Sequence, residues 1–225
     1  MELILDVSSA TATVAFADEG LLTWQGEPIT TRDHSTMMLP RLLDGLAALN
    51  ARTGDISLVV VATGPGPFNG LRVAVSIAKG VALGAGVPVV ATGSLEVEAC
   101  RYPTVGERLQ IVLRAGRTTH ATASFTRTGD AWQQDEESRV LDTEEVLSLL
   151  GQSETLLGSD IDDTISERLS EHTRASLIAP HCNRLPALAA LGYRRALNGE
   201  VVPAAALQPT YARPPHITTP RERRN

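Results

Sequence analysis

Lysine is almost absent from this chain of 225 residues: Lys79 stands alone against 19 arginines. Cysteine is nearly as scarce. Cys100 and Cys182 form no C-x-x-C, which leaves neither a disulfide framework nor a zinc site and suits a reducing compartment. Five histidines (His34, His120, His172, His181 and His216) are scattered, with no H-x-x-x-H and no H-E-x-x-H, so spacing assembles no metal centre. No G-x-S-x-G is present, which removes the commonest signal of a serine nucleophile. No apolar run reaches the roughly 20 residues of a membrane helix; the longest, residues 80–91, contains Pro88. The opening Met1-Glu2-Leu3-Ile4-Leu5-Asp6 lacks a basic leader, so no signal peptide is expected and a cytoplasmic location is. A net charge of −6 repels a phosphate backbone; Arg221-Glu222-Arg223-Arg224 is a local basic exception, read as a solvated tail.

What remains is an ordinary globular composition, 43% hydrophobic and 20% charged, long enough for one large or two small domains. Residues 2–7, 11–17 and 21–27 read as strands joined by tight turns. Over residues 36–52, Leu39, Leu42, Leu43, Leu46 and Leu49 recur at helical spacing, with Pro40 expected in the first turn and Gly54 past the end. A strand over 58–63 leads into a Gly/Pro-rich loop and a second helix over 69–84, with Asn69 as candidate N-cap. A strand over 87–92 and a third helix, with Ser94 as candidate N-cap, complete a first lobe. The second half starts over: strands over 109–114 and 119–126, a polar turn region over 127–136, and a strand over 138–141. A capping box, Asp142 to Glu145, opens a helix. A strand over 155–158, helices over 164–172 and 184–197, and an irregular tail follow. The expected domains are residues 1–104, a smaller lobe at 105–202 whose last helix packs back on the first, and a Pro/Arg-rich tail at 203–225.

The loop Gly64-Pro65-Gly66-Pro67-Phe68-Asn69-Gly70-Leu71-Arg72 is the densest turn cluster. Strand, glycine loop and helix in succession often hold phosphate, but Leu71-Arg72 replace the Gly-Lys-Ser/Thr of a Walker A loop, and the glycine spacing is one residue too long for a dinucleotide fingerprint. Such a cradle aims backbone N–H groups at oxygens, and Pro65 and Pro67 have none. A rigid connector is the better reading. The helix that follows is apolar nearly all round and must be covered on every side. Its Ala74, Ala78 and Ala82, four apart, form a small ridge that a second helix can approach. The plainer reading buries it inside its own domain; the sharper one, carried forward, has a partner subunit cover one face, so that beside the leucine-striped helix it forms a docking surface made of Leu39, Leu42, Leu43, Leu46, Ala74, Ala78 and Ala82. Asp6, followed by Ser8 and Ser9, is a weak candidate for a phosphate or magnesium contact, against the plainer reading of turn chemistry.

At the residues Gly64 to Arg72 the sequence resembles the TsaB (YeaZ) family, whose loop reads G-P-G-S-F-T-G-L-R; Gly64, Pro65, Gly66, Phe68, Gly70 and Arg72 keep it, while Pro67 and Asn69 depart. Ile4-Leu5-Asp6-Val7-Ser8-Ser9, His34-Ser35, Ala78-Lys79-Gly80-Val81-Ala82-Leu83, Gly93-Ser94-Leu95-Glu96 and Pro209-Thr210-Tyr211-Ala212-Arg213 extend the likeness over most of the chain. The resemblance implies an α/β fold of the actin/sugar-kinase/Hsp70 (ASKHA) type, two lobes each with a mixed sheet and helices. It implies a role in forming N6-threonylcarbamoyladenosine at position 37 of certain tRNAs. There the chain would be a non-catalytic scaffold and activating subunit of TsaD, with TsaE in the complex, pairing with itself when alone and touching tRNA only indirectly. The H-x-E-x-H that binds metal in TsaD is matched here by Ser94, Glu96 and Glu98. Arg114 stands where the family usually has Asp, and a cation cannot hold magnesium. No metal, no cofactor and no catalytic residue is therefore expected. The alternative is an ATP-dependent small-molecule kinase of the same fold, with Asp6 as the anchor.

Overall fold

The run Glu2-Leu3-Ile4-Leu5-Asp6 forms β1 (Glu2–Asp6), buried at every position because it lies mid-sheet with a strand on either side. The structure is a computed structural model; it describes residues 1–7, 11–30, 33–102, 106–116, 118–129, 131–151, 156–160, 168 and 176–211. On one side of β1 lie the antiparallel β2 (Thr11–Asp18) and β3 (Leu21–Gln25), with the short β4 (Ile29–Thr30) against β2. On the other side lie the parallel β5 (Leu58–Gly64) and β6 (Val89–Gly93). β5 is buried at all positions, as a parallel strand covered by helices on both faces must be.

Helices α1 (His34–Ala48) and α2 (Phe68–Ala85) cover one face of this sheet. Their Met38, Leu42, Leu46, Ala74, Ala78 and Ala82 close a core with Leu3, Leu5, Val59 and Val61. Ile4, Val60 and Ala62, pointing the other way, meet Leu185, Leu188 and Leu191 of the last helix.

The second sheet repeats the plan. The strand β7 (Arg108–Arg114) has antiparallel β8 (Thr119–Thr128) on one side, with β9 (Ala131–Gln134) and β10 (Arg139–Asp142) on β8; on the other side are parallel β11 (Leu156–Asp160) and β12 (Ser176–Leu177). Each lobe thus has a central strand with antiparallel neighbours on one flank and parallel ones on the other. This is the expected two-lobed α/β architecture, each lobe a mixed sheet with helices. The helix α3 (Ser94–Ala99) sits between the lobes: Val97 enters the core of the first, Leu95 and Ala99 that of the second. The helix α4 (Thr143–Gly151) opens on the expected capping box, with the Asp142 amide donating to Glu145 Oε2 at 2.8 Å and the Glu145 amide to Asp142 Oδ1 at 2.9 Å. The helix α5 (Arg184–Leu197) lies across the first sheet rather than the second. The chain beyond it returns to the first lobe: Val202 bridges Val89, and the Thr210 amide donates to Thr63 O at 2.7 Å.

Several boundaries differ from the expectation. α1 begins at His34, so Pro40 lies inside the helix and not in its first turn. The residue past its end that adopts a left-handed conformation is Asn50, at φ 51°, and Gly54 belongs to a separate 3-10 turn, Thr53–Asp55. Pro67 is the N-cap of α2 and Gly93 that of α3, which moves Asn69 and Ser94 inside their helices. The polar region over 127–136 holds the end of β8 and all of β9; Trp132 is buried while Gln133 and Gln134 face solvent. The expected helix over 164–172 falls outside the described residues except for Arg168, as do Ser8, Ser9, Ala212, Arg213 and the basic tail.

Candidate functional site

Asp6 ends β1, Glu98 lies on α3, and Arg184 is the first residue of α5. Burial of these three charges at the lobe junction would be costly unless they met, and they do. Arg184 Nε donates to Asp6 Oδ2 at 2.9 Å and its Nη1 to Glu98 Oε2 at 2.5 Å. Glu98 Oε1 accepts from Arg101 Nη1 at 2.6 Å and from the Tyr102 hydroxyl at 3.2 Å. The side chains of Asp6 and Glu98 are 3% and 0% exposed, so neither is presented to a ligand. Burial pulls the Arg184 guanidinium toward neutrality, but Asp6 and Glu98 outweigh it and hold its pKa above the ordinary value. Both carboxylates already bind a cation, and that cation is an arginine of the same chain. Asp6, the candidate phosphate or magnesium contact, is thus engaged by Arg184.

The counterpart of Asp6 in the second lobe is Arg114, at the end of β7, whose Nε donates to Gly116 O at 3.1 Å. Glu96 points away from the cluster and pairs with Arg195 at 2.8 Å. Burial raises the Glu96 pKa, with Arg195 opposing it. Among the described residues no group of three His, Cys, Asp or Glu side chains stands close enough to hold a metal ion.

The glycine loop works as a packing device. Gly64 has φ +121°, and a Cβ there would collide with the carbonyl of Thr210, so only glycine lets the returning C-terminal segment run alongside β5. The Phe68 ring lies 4.8 Å from that of Tyr211 and 5.3 Å beneath the Arg72 guanidinium. Gly70 faces the His34 ring, 2.8 Å from where a Cβ would stand. Motif residues from both ends of the chain therefore meet at the start of α2. Pro65 is buried, and Gly66 and Pro67 are half-buried.

The expected docking surface is only partly on the outside. Leu42, Leu46, Ala74, Ala78 and Ala82 are core residues of the first lobe, each at most 5% exposed. The ridge of alanines is approached closely, but by β1, β5 and α1 of the same chain. Leu39 and Leu43 remain exposed, at 52% and 56%. The outer face of α2 carries Arg72, Ser76, Gly80, Leu83 and Gly84. A Cβ added at Gly80 or Gly84 would meet nothing within 4 Å. Each glycine within a helix costs about 1 kcal/mol relative to alanine, and no contact among the described residues requires these two. Leu83, 66% exposed, lies beside them.

Arg184 escaped the sequence reading. Its partners lie 178 and 86 positions away. The one local signal is a cation at the first position of a helix, the end where the dipole favours an anion.

A family model described as TsaD, tRNA N6-adenosine threonylcarbamoyltransferase, matches residues 28–166. The tRNA threonylcarbamoyladenosine biosynthesis protein TsaB of Escherichia coli is 31% identical over 93 residues, which cover 41% of this chain and 40% of that protein; the match thus spans less than half of that relative's length. Two solved structures share the fold. One is YeaZ from Pseudomonas aeruginosa, with TM-score 0.69, 22% identity, and coverage of 93% of this chain and 99% of that one. The other is a protein described as similar to peptidase YEAZ from the same organism, with TM-score 0.72, 23% identity, and coverage of 94% and 99%.

Proposed function

The chain belongs to the TsaD family, in its TsaB/YeaZ branch, and from that premise we propose that it is a non-catalytic scaffold and activating subunit in the formation of N6-threonylcarbamoyladenosine on tRNA. Its partner is a TsaD protein, bound through the exposed side of α1 and α2, with TsaE joining the complex. In the absence of TsaD the same surface pairs two copies of this chain. The observation that carries the reading is the outer row Ser76, Gly80 and Gly84, flanked by Leu83 and, on α1, by Leu39 and Leu43. Glycines that no contact among the described residues requires, in a helix that would be more stable with alanine, are explained by a helix that must come close from outside.

The lack of a catalytic role is part of the same proposal. It is supported by Arg184, which neutralises the carboxylates of Asp6 and Glu98, and by Arg114 in the topologically equivalent position of the second lobe. Transfer chemistry would then reside wholly in the partner, and tRNA would be met only through it.

The test is Gly80→Arg. Gly80 is exposed with open space around it, so the variant keeps the circular dichroism spectrum and melting profile of the parent. Light scattering on the purified chain, alone and mixed with TsaD of the same organism, is expected to show loss of both pairings, and reconstituted threonylcarbamoyl transfer is expected to fall with them. A folded Gly80→Arg protein that pairs with TsaD as strongly as the parent would overturn the interface.

A further inference from the structure

The turn between β2 and β3 stands at the Glu2 end of β1, opposite Asp6: the Gly20 amide donates to Glu2 Oε2 at 3.0 Å. There the hairpin, α5, the segment after α3 and the tip of the second lobe surround a cavity of about 440 Å³, within the size range of small-molecule sites. Leu21 and Leu22 form one wall, Pro186, Ala187, Ala190 and Leu191 of α5 another, and Tyr102 and Trp132 a third. Apolar walls of this kind favour an apolar ligand body.

The polar side chains on the cavity are uniform in kind. Arg194 sits at the rim, exposed, and reaches the Cys100 thiol. Cys100 and Cys182 both line the cavity as free thiols. The Tyr102 hydroxyl already donates to Glu98. The indole N–H of Trp132 is buried with no hydrogen-bond partner, and the residue is only 9% exposed. Among the described residues no carboxylate and no amide side chain lines the space. The described lining is therefore poor in acceptors and carries one permanent positive charge, Arg194.

We propose that this cavity binds a small monocarboxylate with an apolar body, its carboxylate held by Arg194 and its apolar part enclosed between α5 and Trp132. An ammonium head would find no carboxylate or amide acceptor among the described lining residues, and a neutral alcohol would forgo the charged contact. The ligand would touch the lobe-junction cluster only through neighbours of that cluster: Tyr102, whose hydroxyl meets Glu98, and Cys182, whose carbonyl accepts from Arg101 Nε at 3.1 Å.

The probe is octanoate, with octan-1-ol and octylamine as controls, titrated calorimetrically into the full chain. Octanoate is expected to bind at one site and to slow the reaction of both Cys100 and Cys182 with N-ethylmaleimide. Octan-1-ol and octylamine are each expected to bind at least tenfold more weakly. Because a hydrogen bond to a charged group is worth about 1.5–3 kcal/mol, Arg194→Gln should weaken octanoate roughly tenfold or more and leave octan-1-ol unchanged. Ala190→Trp, at an exposed wall position, should fill the space and abolish binding while the melting profile is kept. No saturable octanoate binding would overturn the proposal. So would octan-1-ol binding as tightly as octanoate, or an Arg194→Gln protein with undiminished octanoate affinity.

Discussion

The two faces of α2 are built alike and serve opposite ends. On the inner face Ala74, Ala78 and Ala82 recur every four residues, and on the outer face Ser76, Gly80 and Gly84 do the same. The inner row is at most 2% exposed and packs against β1 and β5; the outer row faces open space. Alanine is the residue for a helix that must be stable and packed, since it is the best helix former and fills a small gap. Glycine is a poor helix former, so its presence on the outer face is paid for in stability and has to be explained by something outside the fold. What separates an internal seam from an external one is thus the cost the helix accepts to keep its backbone bare.

Substitution at Ala78 breaks the comparison most severely. Ala78→Arg forces a charge into the apolar core between α2 and the first sheet. A buried unpaired charge of this kind destabilises by about 3–5 kcal/mol. The expected outcome is a large fall in the urea midpoint, or no soluble protein at all. A protein that melts like the parent would mean that the inner row is not core. The contrast with Gly80→Arg, on the same helix two residues on, is the strongest form of the test.

Gly80→Ala sharpens the same contrast with a smaller change. In the isolated chain the added methyl meets nothing, and the helix gains about 0.8–1 kcal/mol. At a close helix contact the same methyl overpacks, at a cost of about 1–3 kcal/mol. The variant is therefore expected to melt higher and to pair more weakly, a pair of opposite signs that a general loss of fold cannot imitate. Denaturation of a chain kept monomeric by dilution, set beside a titration with TsaD, measures both. A gain in stability without any loss of pairing would move the interface off the outer row.

The elements themselves were largely legible because their signals are local. The apolar run of β5, the leucine periodicity of α1 and the capping box of α4 each lie within a few residues. The phase of α2 was not legible. Its sequence is apolar all round, so two small-residue rows compete for the core, and only the position of β1 and β5 decides between them. The lobe-junction cluster was hidden for another reason. Asp6, Glu98 and Arg184 sit on three elements far apart in sequence, and a carboxylate after a strand reads equally well as turn chemistry until its partner is placed. β9 was missed because its exposed Gln133 and Gln134 mask the single inward residue, Trp132. The glycine loop was recognised as a motif, yet the reason for Gly64 lies in Thr210, near the other end of the chain.

The smallest expected effect concerns a buried polar side chain, His34, at the start of the inner face of α2. His34 is 4% exposed, and Gly70 leaves room for its ring. Burial lowers its pKa from the ordinary 6.5, with a backbone hydrogen bond at Ile29 and the charge of Asp33 opposing. A base with a lowered pKa is neutral in the fold, while the unfolded chain takes the proton first as pH falls through 6.5. Its contribution to stability is complete above about pH 6.5 and declines in acid until the lowered folded value is reached. Glu2 and Glu96, both raised by burial, act with the opposite sign: they hold protons more tightly when folded, so their effect favours the fold as pH falls toward the carboxylate range. The parent alone therefore gives a mixed curve, and the difference between the parent and His34→Asn isolates the histidine. Urea midpoints at pH 7.5 and 6.0 are expected to fall in the parent by more than in the variant, whereas Gly80→Ala, on the outer face, should leave the parent's pH dependence unchanged. Parallel curves for the parent and His34→Asn would show that the ring at the start of the inner face is not held neutral by its burial.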